Sequence, residues 1–208
     1  TKAKSPYDRV NLLAGDAGTA PILEFSEGAN PMMFDMHTDG SNYRSLIIPD
    51  GGYRNPVTPK SFEYYECKDG MLRNRTQSNM EGEDILSFAM HAGPKCIKSL
   101  LEHYELSKDE VDYFLIHQAN RMINKLVQKR LKVEDERCPY NIEEFGNSSS
   151  TTIPLMIVNK LQNDISGKKV VACGFGTGLA WGAMYNELDD VKVSDLVHYE
   201  KNKRICSI

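Results

Sequence analysis

Apolar and polar positions in this chain fall into short runs that switch between two periods. Tyr113–Ile116 is a continuous apolar run of the length expected for a buried strand. A helical pattern begins almost at once, predicting a helix over 119–131. A strand is expected near Pro31–His37, followed by the turn-rich loop TDGSNYRSLIIPDGGYRNPVTP, and a polar hairpin over Glu63–Met71. A long helical stretch runs from about Glu81 to His103, with Gly93-Pro94 expected to kink or split it. Ser107 caps the short turn SKDE. After EEFGNSSST a further helix is expected over 152–162, with Pro154 tolerable in its first turn. Strands alternating with helices predict a layered α/β protein.

Two segments resemble each other. VNLLAGDAGTAPILEF (10–25) and KVVACGFGTGLAWGAMYNEL (169–188) each read as a strand, a tight small-residue turn and a second strand. Gly15 aligns with Gly174, Gly18 with Thr177 and Thr19 with Gly178. Two similar hairpins about 160 residues apart suggest internal duplication.

Composition changes this picture little. At 208 residues and 40% apolar content the chain can bury a sizeable core. A net charge of −4 gives no general reason to expect nucleic acid, and no apolar run reaches the length of a membrane span. TKAKSPYDR lacks the apolar core of a secretory signal. Five cysteines without a CxxC pair suggest reduced thiols and a cytoplasmic protein.

The candidate chemistry begins at His117, which ends the apolar run and is followed by two amide side chains in QAN. One role is a core histidine bonded to a carbonyl. The other is catalytic, since functional groups gather where strands of open α/β sheets end. Asn147, in EFGNSSSTT, is either a helix cap or a fixed amide donor. Beside a neutral imidazole N–H it could hold an oxygen on which negative charge develops. GFGTG is not a dinucleotide fingerprint, because LAWGAMYNEL after it reads as a strand and not a helix. Such a turn can instead offer bare backbone N–H groups to a substrate. No cysteine is well placed as a nucleophile; Cys173, touching the glycine turn, is the best placed. The histidines and cysteines show no metal-ligand spacing. Arg121, Lys125 and Lys129, with Arg130 beside them, form a basic helix face with no acid in the helix to balance it, suited to an acidic or phosphate-bearing partner.

HQAN ending a strand, GNSSS some thirty residues later, a final GFGTGLAWG, the early GDAGTA and the helix opening MEGEDILSFA together resemble ketoacyl-acyl-carrier-protein synthase III of the thiolase superfamily, from about residue 7 to 188. The resemblance implies a duplicated α-β-α-β-α sandwich. Residues 1–28 would close its N-terminal half, 29–188 form the C-terminal half, and 189–208 extend beyond it. It implies His117 and Asn147 as catalytic residues, with the Thr177 backbone N–H in an oxyanion hole. Asn120, Gly82 and Phe175 would bind substrate and coenzyme A, while Lys129 and Arg130 match a basic pair that docks acyl carrier protein, with Arg121 and Lys125 on the same helix.

The implied reaction joins an acyl group from acyl-coenzyme A to malonyl-carrier protein, with loss of carbon dioxide. It initiates fatty acid synthesis and needs no cofactor or metal beyond the thioester substrates. The family's nucleophilic cysteine falls upstream of the matched residues, so this chain alone is expected to be inactive, and a homodimer is implied for the full-length enzyme. Met122 departs from the family, in which an arginine is common at that place. Two alternatives remain: a related secondary-metabolite condensing enzyme, or a non-catalytic module binding carrier protein or coenzyme A.

Overall fold

A strand buried on both faces must send alternate side chains into two different cores. The computed structural model, which describes Tyr7 and residues 12–199, is organised around such strands. In chain order its elements are β1 (Met33–Thr38), β2 (Leu46–Ile47), β3 (Tyr65–Glu66), β4 (Leu72–Arg73), β5 (Asn79–Met80), α1 (Gly82–His103), β6 (Tyr113–Ile116), α2 (Arg121–Leu131), α3 (Ile142–Phe145), α4 (Thr152–Lys160), β7 (Lys168–Gly176) and β8 (Ala180–Leu188). The main sheet has the order β1-β8-β7-β6, with β6 and β7 parallel and the other pairs antiparallel.

Phe114, Ile116, Val171 and Cys173 point to one face, where they meet Ala89, Ile97 and Leu100 of α1 and Ile123 and Val127 of α2. Leu115 and Val170 point to the other, against Met156 of α4, with Leu161 and Ile165 after it. The result is an α-β-α stack. The parallel pair is joined by a crossover through α2, α3 and α4, so β6 and β7 both end at the same edge of the sheet. The small pairs β2–β5 and β3–β4 shape the loop region between β1 and α1.

Three expectations need correction. The first hairpin does not form: residues 15–25 contain no strand, and Ile22, Leu23 and Phe25 are exposed, while Val10 and Asn11 lie outside the described residues. A strand needs a neighbouring edge for its N–H and C=O groups, and among its described residues this segment forms a bridge only at Ala14, to Asn147. Second, of the two outcomes expected at Gly93-Pro94, the split does not occur: α1 runs unbroken from Gly82 to His103. Pro94 cannot donate to the carbonyl of Met90, four residues back, and the Arg130 guanidinium donates to it instead at 2.8 Å. Third, the basic face is partly balanced, because Arg121 pairs with Glu143 at 2.6 Å and Lys125 with Asp135 at 3.2 Å. Both acids come from outside α2.

The expected C-terminal extension is described only to residue 199 and contains no strand or helix there. Val191 and Val193 pack on the α4 side of the sheet, and Gln162 donates to Asp195 at 2.8 Å. Among the described residues no helix is long and apolar enough to cross a membrane.

Candidate active site

β6 delivers His117 to the carboxyl edge of the parallel pair, where its N–H donates to the Cys173 carbonyl at 2.8 Å and so continues the ladder by one residue. The chain then turns into α2. Asn120 caps that helix, its Oδ1 accepting from the Ile123 N–H at 2.8 Å, and Asn124 Nδ2 donates to the His117 carbonyl at 3.0 Å. Gln118 is buried and donates to the Ile116 carbonyl at 2.7 Å. The backbone around the histidine is therefore fixed by both amides that follow it in sequence and by a third from the helix.

Asn147 arrives from the loop before α4. Its Oδ1 accepts from the Ser149 N–H at 2.9 Å, and Nδ2 donates to the Ala119 carbonyl at 3.3 Å, two residues after His117. From the same loop, Thr152 opens α4 and places its hydroxyl 2.7 Å from His117 Nδ1. His117 and Asn147, thirty residues apart, are thus joined through Thr152, Ser149 and Ala119. The Phe175 ring stands edge-on to the imidazole, with centroids 5.6 Å apart. Phe88, Trp181 and His37 extend this aromatic row outward.

Other expected residues are placed differently. Thr177 lies in the exposed turn between β7 and β8, at the same sheet edge but three residues beyond Gly174, which is level with His117. That is about 10 Å along an extended chain. Gly82 starts α1 and is exposed, with nothing within 4 Å of where a Cβ would stand. Asn120 spends its side-chain oxygen on the helix cap. Arg130 borders a groove of about 710 Å³ between α1 and α2, lined also by Met90, Pro94, Ile97, Leu101 and Leu131, and Lys129 is exposed.

The cysteines are poor nucleophiles. Cys173 is fully buried and its thiol is pushed well above the ordinary range by desolvation, then by the nearby Cys96. Burial likewise raises Cys96 and Cys138 to about 12. Cys206 lies outside the described residues. One grouping escaped sequence reasoning: Asp35, His37 and Cys96 bring ligand-type atoms within 4.8 Å of one another. It is internally bonded, with His37 Nε2 at 2.7 Å from Asp35 and the Cys96 thiol donating to the Asp35 carbonyl at 3.3 Å. Spacing could not reveal it, because Cys96 comes from α1, 61 residues from Asp35.

A mixed sheet covered on both faces, with a histidine at a strand end and an asparagine before the opposing helix, defines a thiolase-like α/β protein. Residues 101–188 match the family described as 3-oxoacyl-[acyl-carrier-protein (ACP)] synthase III C terminal. The chain is 35% identical over 177 residues to beta-ketoacyl-[acyl-carrier-protein] synthase III of Lactococcus lactis subsp. lactis (strain IL1403), covering 82% of this chain and 51% of the relative. The synthase III of Synechococcus sp. (strain WH7803) is 33% identical over 174 residues, covering 83% of this chain and 50% of the relative. A crystal structure of 3-oxoacyl-(acyl-carrier-protein) synthase III superposes with a TM-score of 0.78 at 26% identity, covering 89% of this chain and 57% of that one. The chain spans about half the length of the curated relatives it matches.

Proposed function

We propose that this chain supplies the decarboxylation side of a condensing-enzyme active site. It would act within a synthase that joins an acyl group from acyl-coenzyme A to malonyl-acyl carrier protein, giving 3-oxoacyl-carrier protein at the start of fatty acid synthesis. The observation that carries this reading is the tethering of His117 and Asn147 to each other's loops at the carboxyl edge of the sheet. Two donors anchored in this way could share the thioester oxygen of a malonyl group as carbon dioxide leaves and an enolate develops. No base is needed for that step, because bond cleavage itself generates the carbanion.

The carbanion then attacks an acyl group held as a thioester on the nucleophilic cysteine of the family's other half. The Thr177 N–H is proposed to hold the oxygen of that carbonyl. The thiol is not assigned to Cys96, Cys138 or Cys173, whose burial disfavours the thiolate. Asn120, Gly82 and Phe175 are proposed to line the approach of the coenzyme A and phosphopantetheine arms. The exposed Lys129 is proposed to meet the acidic carrier protein. The free thiols Cys67, Cys96, Cys138 and Cys173 suit a reducing compartment, and we place the protein in the cytoplasm.

The test is a pair of half-reaction assays on the full-length synthase. His117→Ala and Asn147→Ala should each lower malonyl decarboxylation by roughly 100- to 1000-fold, the usual cost of one preorganised donor. Acyl transfer from acyl-coenzyme A should survive better in both. Loss of acyl transfer with decarboxylation kept would overturn the assignment.

A further inference from the structure

Side chains two residues apart on a strand share a face, so Asp35 and His37 of β1 stand on one side of it and the exposed Phe34 and Met36 on the other. On the Asp35 side α1 presents Cys96, 61 residues away in the chain and 1% exposed. The Asp35 carboxylate lies between the two. Its Oδ1 is 2.7 Å from His37 Nε2, and its Oδ2 is 3.7 Å from Cys96 Sγ. The three ligand-type atoms all fall within 4.8 Å of one another. Each is anchored separately. The His37 ring stacks on Trp181, with centroids 5.4 Å apart and planes at 20°, and Phe88 of α1 stands edge-on to that indole. The sulfur sits on a helix packed into the core, and Asp35 on a strand paired level with Ala183.

We propose that Asp35, His37 and Cys96 form a binding site for a divalent transition-metal ion of the zinc type, apart from the candidate condensing site. Thiolate, imidazole and carboxylate are the donor kinds that zinc takes, at about 2.3, 2.0 and 2.1 Å. In a tetrahedron of those bond lengths the donors stand roughly 3.3–3.6 Å apart. The sulfur–carboxylate spacing is already close to this. The imidazole must back off from the carboxylate by roughly half an ångström, and 43% of its side chain is open to solvent. A dication with one thiolate, one carboxylate and a neutral ring sums to zero charge, which suits a half-buried place. The thiol proton leaves to solvent as the sulfur–metal bond forms, and the ring offers its Nε2 lone pair while keeping its proton on Nδ1. Burial first, and then the Asp35 carboxylate, disfavour a bare thiolate on Cys96, and a bound cation reverses the second effect. The fourth position opens to water past the exposed His37. Such an ion ties the edge strand β1 to the middle of α1.

The experiment is a Co2+ titration of the reduced, metal-free 208-residue chain, followed by absorption. Cobalt on a thiolate gives a near-ultraviolet charge-transfer band, and four-coordinate geometry gives intense visible bands. The wild type should show both, saturating at one equivalent, and Zn2+ should displace the cobalt and bleach them. His37→Ala and Asp35→Asn should each weaken cobalt binding by at least about tenfold, the lower cost of disturbing even an outer partner of a metal site. Cys96→Ser should remove the charge-transfer band, whereas Cys67→Ser should leave it. A wild type without the band would overturn the proposal. So would a band that survives Cys96→Ser, one lost in Cys67→Ser, one that Zn2+ does not bleach, or an affinity that His37→Ala changes by less than tenfold. His37 is exposed, so its variant decides the matter even if Cys96→Ser does not fold. None of these readouts requires turnover, so they are independent of the half-reaction assays that judge the function.

Discussion

Gly15 and Asn147 lie backbone to backbone. The Gly15 N–H donates to the Asn147 carbonyl at 3.1 Å, and the Asn147 N–H donates to the Leu13 carbonyl at 2.6 Å. The GDAG turn, read from sequence as part of a hairpin, thus straps the loop that carries the candidate catalytic amide. The crossing is tight: a Cβ on Gly15 would stand 1.6 Å from the Phe145 carbonyl oxygen. On the facing side Gly146 has φ +64, and a Cβ there would meet the Leu13 carbonyl oxygen at 2.9 Å.

Gly15→Ala should therefore displace the strap and loosen Asn147. The expected cost is about 1–3 kcal/mol of stability, the usual scale of overpacking. Gly18→Ala, where nothing lies within 4 Å of the added carbon, is the control and should be nearly silent. Urea denaturation of the two variants measures this, and equal effects would show that the strap is not tight.

Arg130 and Pro94 should be energetically coupled through the Met90 carbonyl. Arg130→Ala is expected to cost roughly 0.5–1.5 kcal/mol by leaving that carbonyl without its donor. In a Pro94→Ala background the restored N–H of residue 94 serves the same carbonyl, so the penalty should shrink. A double-mutant cycle by thermal or urea unfolding checks this, and additive effects would dismiss the coupling.

Lys129 is the cleaner probe of carrier-protein docking, because Arg130, Arg121 and Lys125 already have partners within the fold. Lys129→Glu in the full-length synthase should raise the apparent KM for malonyl-carrier protein and weaken the salt dependence of that half-reaction. The half-reaction with acyl-coenzyme A should change little. Equal slowing of both halves would make α2 an ordinary solvated face.

Asp50 should make part of the stability acid-sensitive. Its carboxylate accepts from Arg75 Nε at 2.9 Å, from Nη2 at 2.8 Å and from the Ser61 hydroxyl at 2.8 Å. Arg75 first, and then Ser61, hold the carboxyl below its ordinary range. A depressed native pKa contributes stability that is present above the unfolded value, about 3.9, and is lost as pH falls through the native one. The melting-temperature gap between the wild type and Asp50→Asn should therefore narrow as pH falls below about 4. A gap independent of pH would reject this.

The buried thiols should be chemically quiet. Cys96, Cys138 and Cys173 are buried, and burial raises all three thiols. Only the thiolate is nucleophilic. Brief iodoacetamide treatment of the native chain near neutral pH should label the half-buried Cys67 ahead of these three. Acetyl-coenzyme A should leave no stoichiometric acetyl adduct on Cys173. Intact and peptide mass measurement tests both statements, and an acetylated Cys173 would place a nucleophile in this chain after all.

The sequence by itself determined what depends on neighbours along the chain. The apolar run Tyr113–Ile116 specified a strand and put His117 at its end, and the small polar residues around Asn147 specified a loop before a helix. The final hairpin was legible because both its strands are long and its turn is rich in glycine. Tertiary structure alone decided which distant groups share a proton or a charge. Thr152 meets His117 because α4 starts at the edge where β6 ends, and Gly15 reaches Asn147 because Gly15 and Gly146 lack the side chains that would keep the two segments apart. Arg130 donates to the carbonyl that Pro94 orphans, in a helix that continues past the Gly93-Pro94 pair expected to kink or split it. Glu143 and Asp135 neutralise a helix face that carries no acid of its own. Periodicity encodes the direction in which a side chain points, but its partner is set by the packing of elements far apart in the chain.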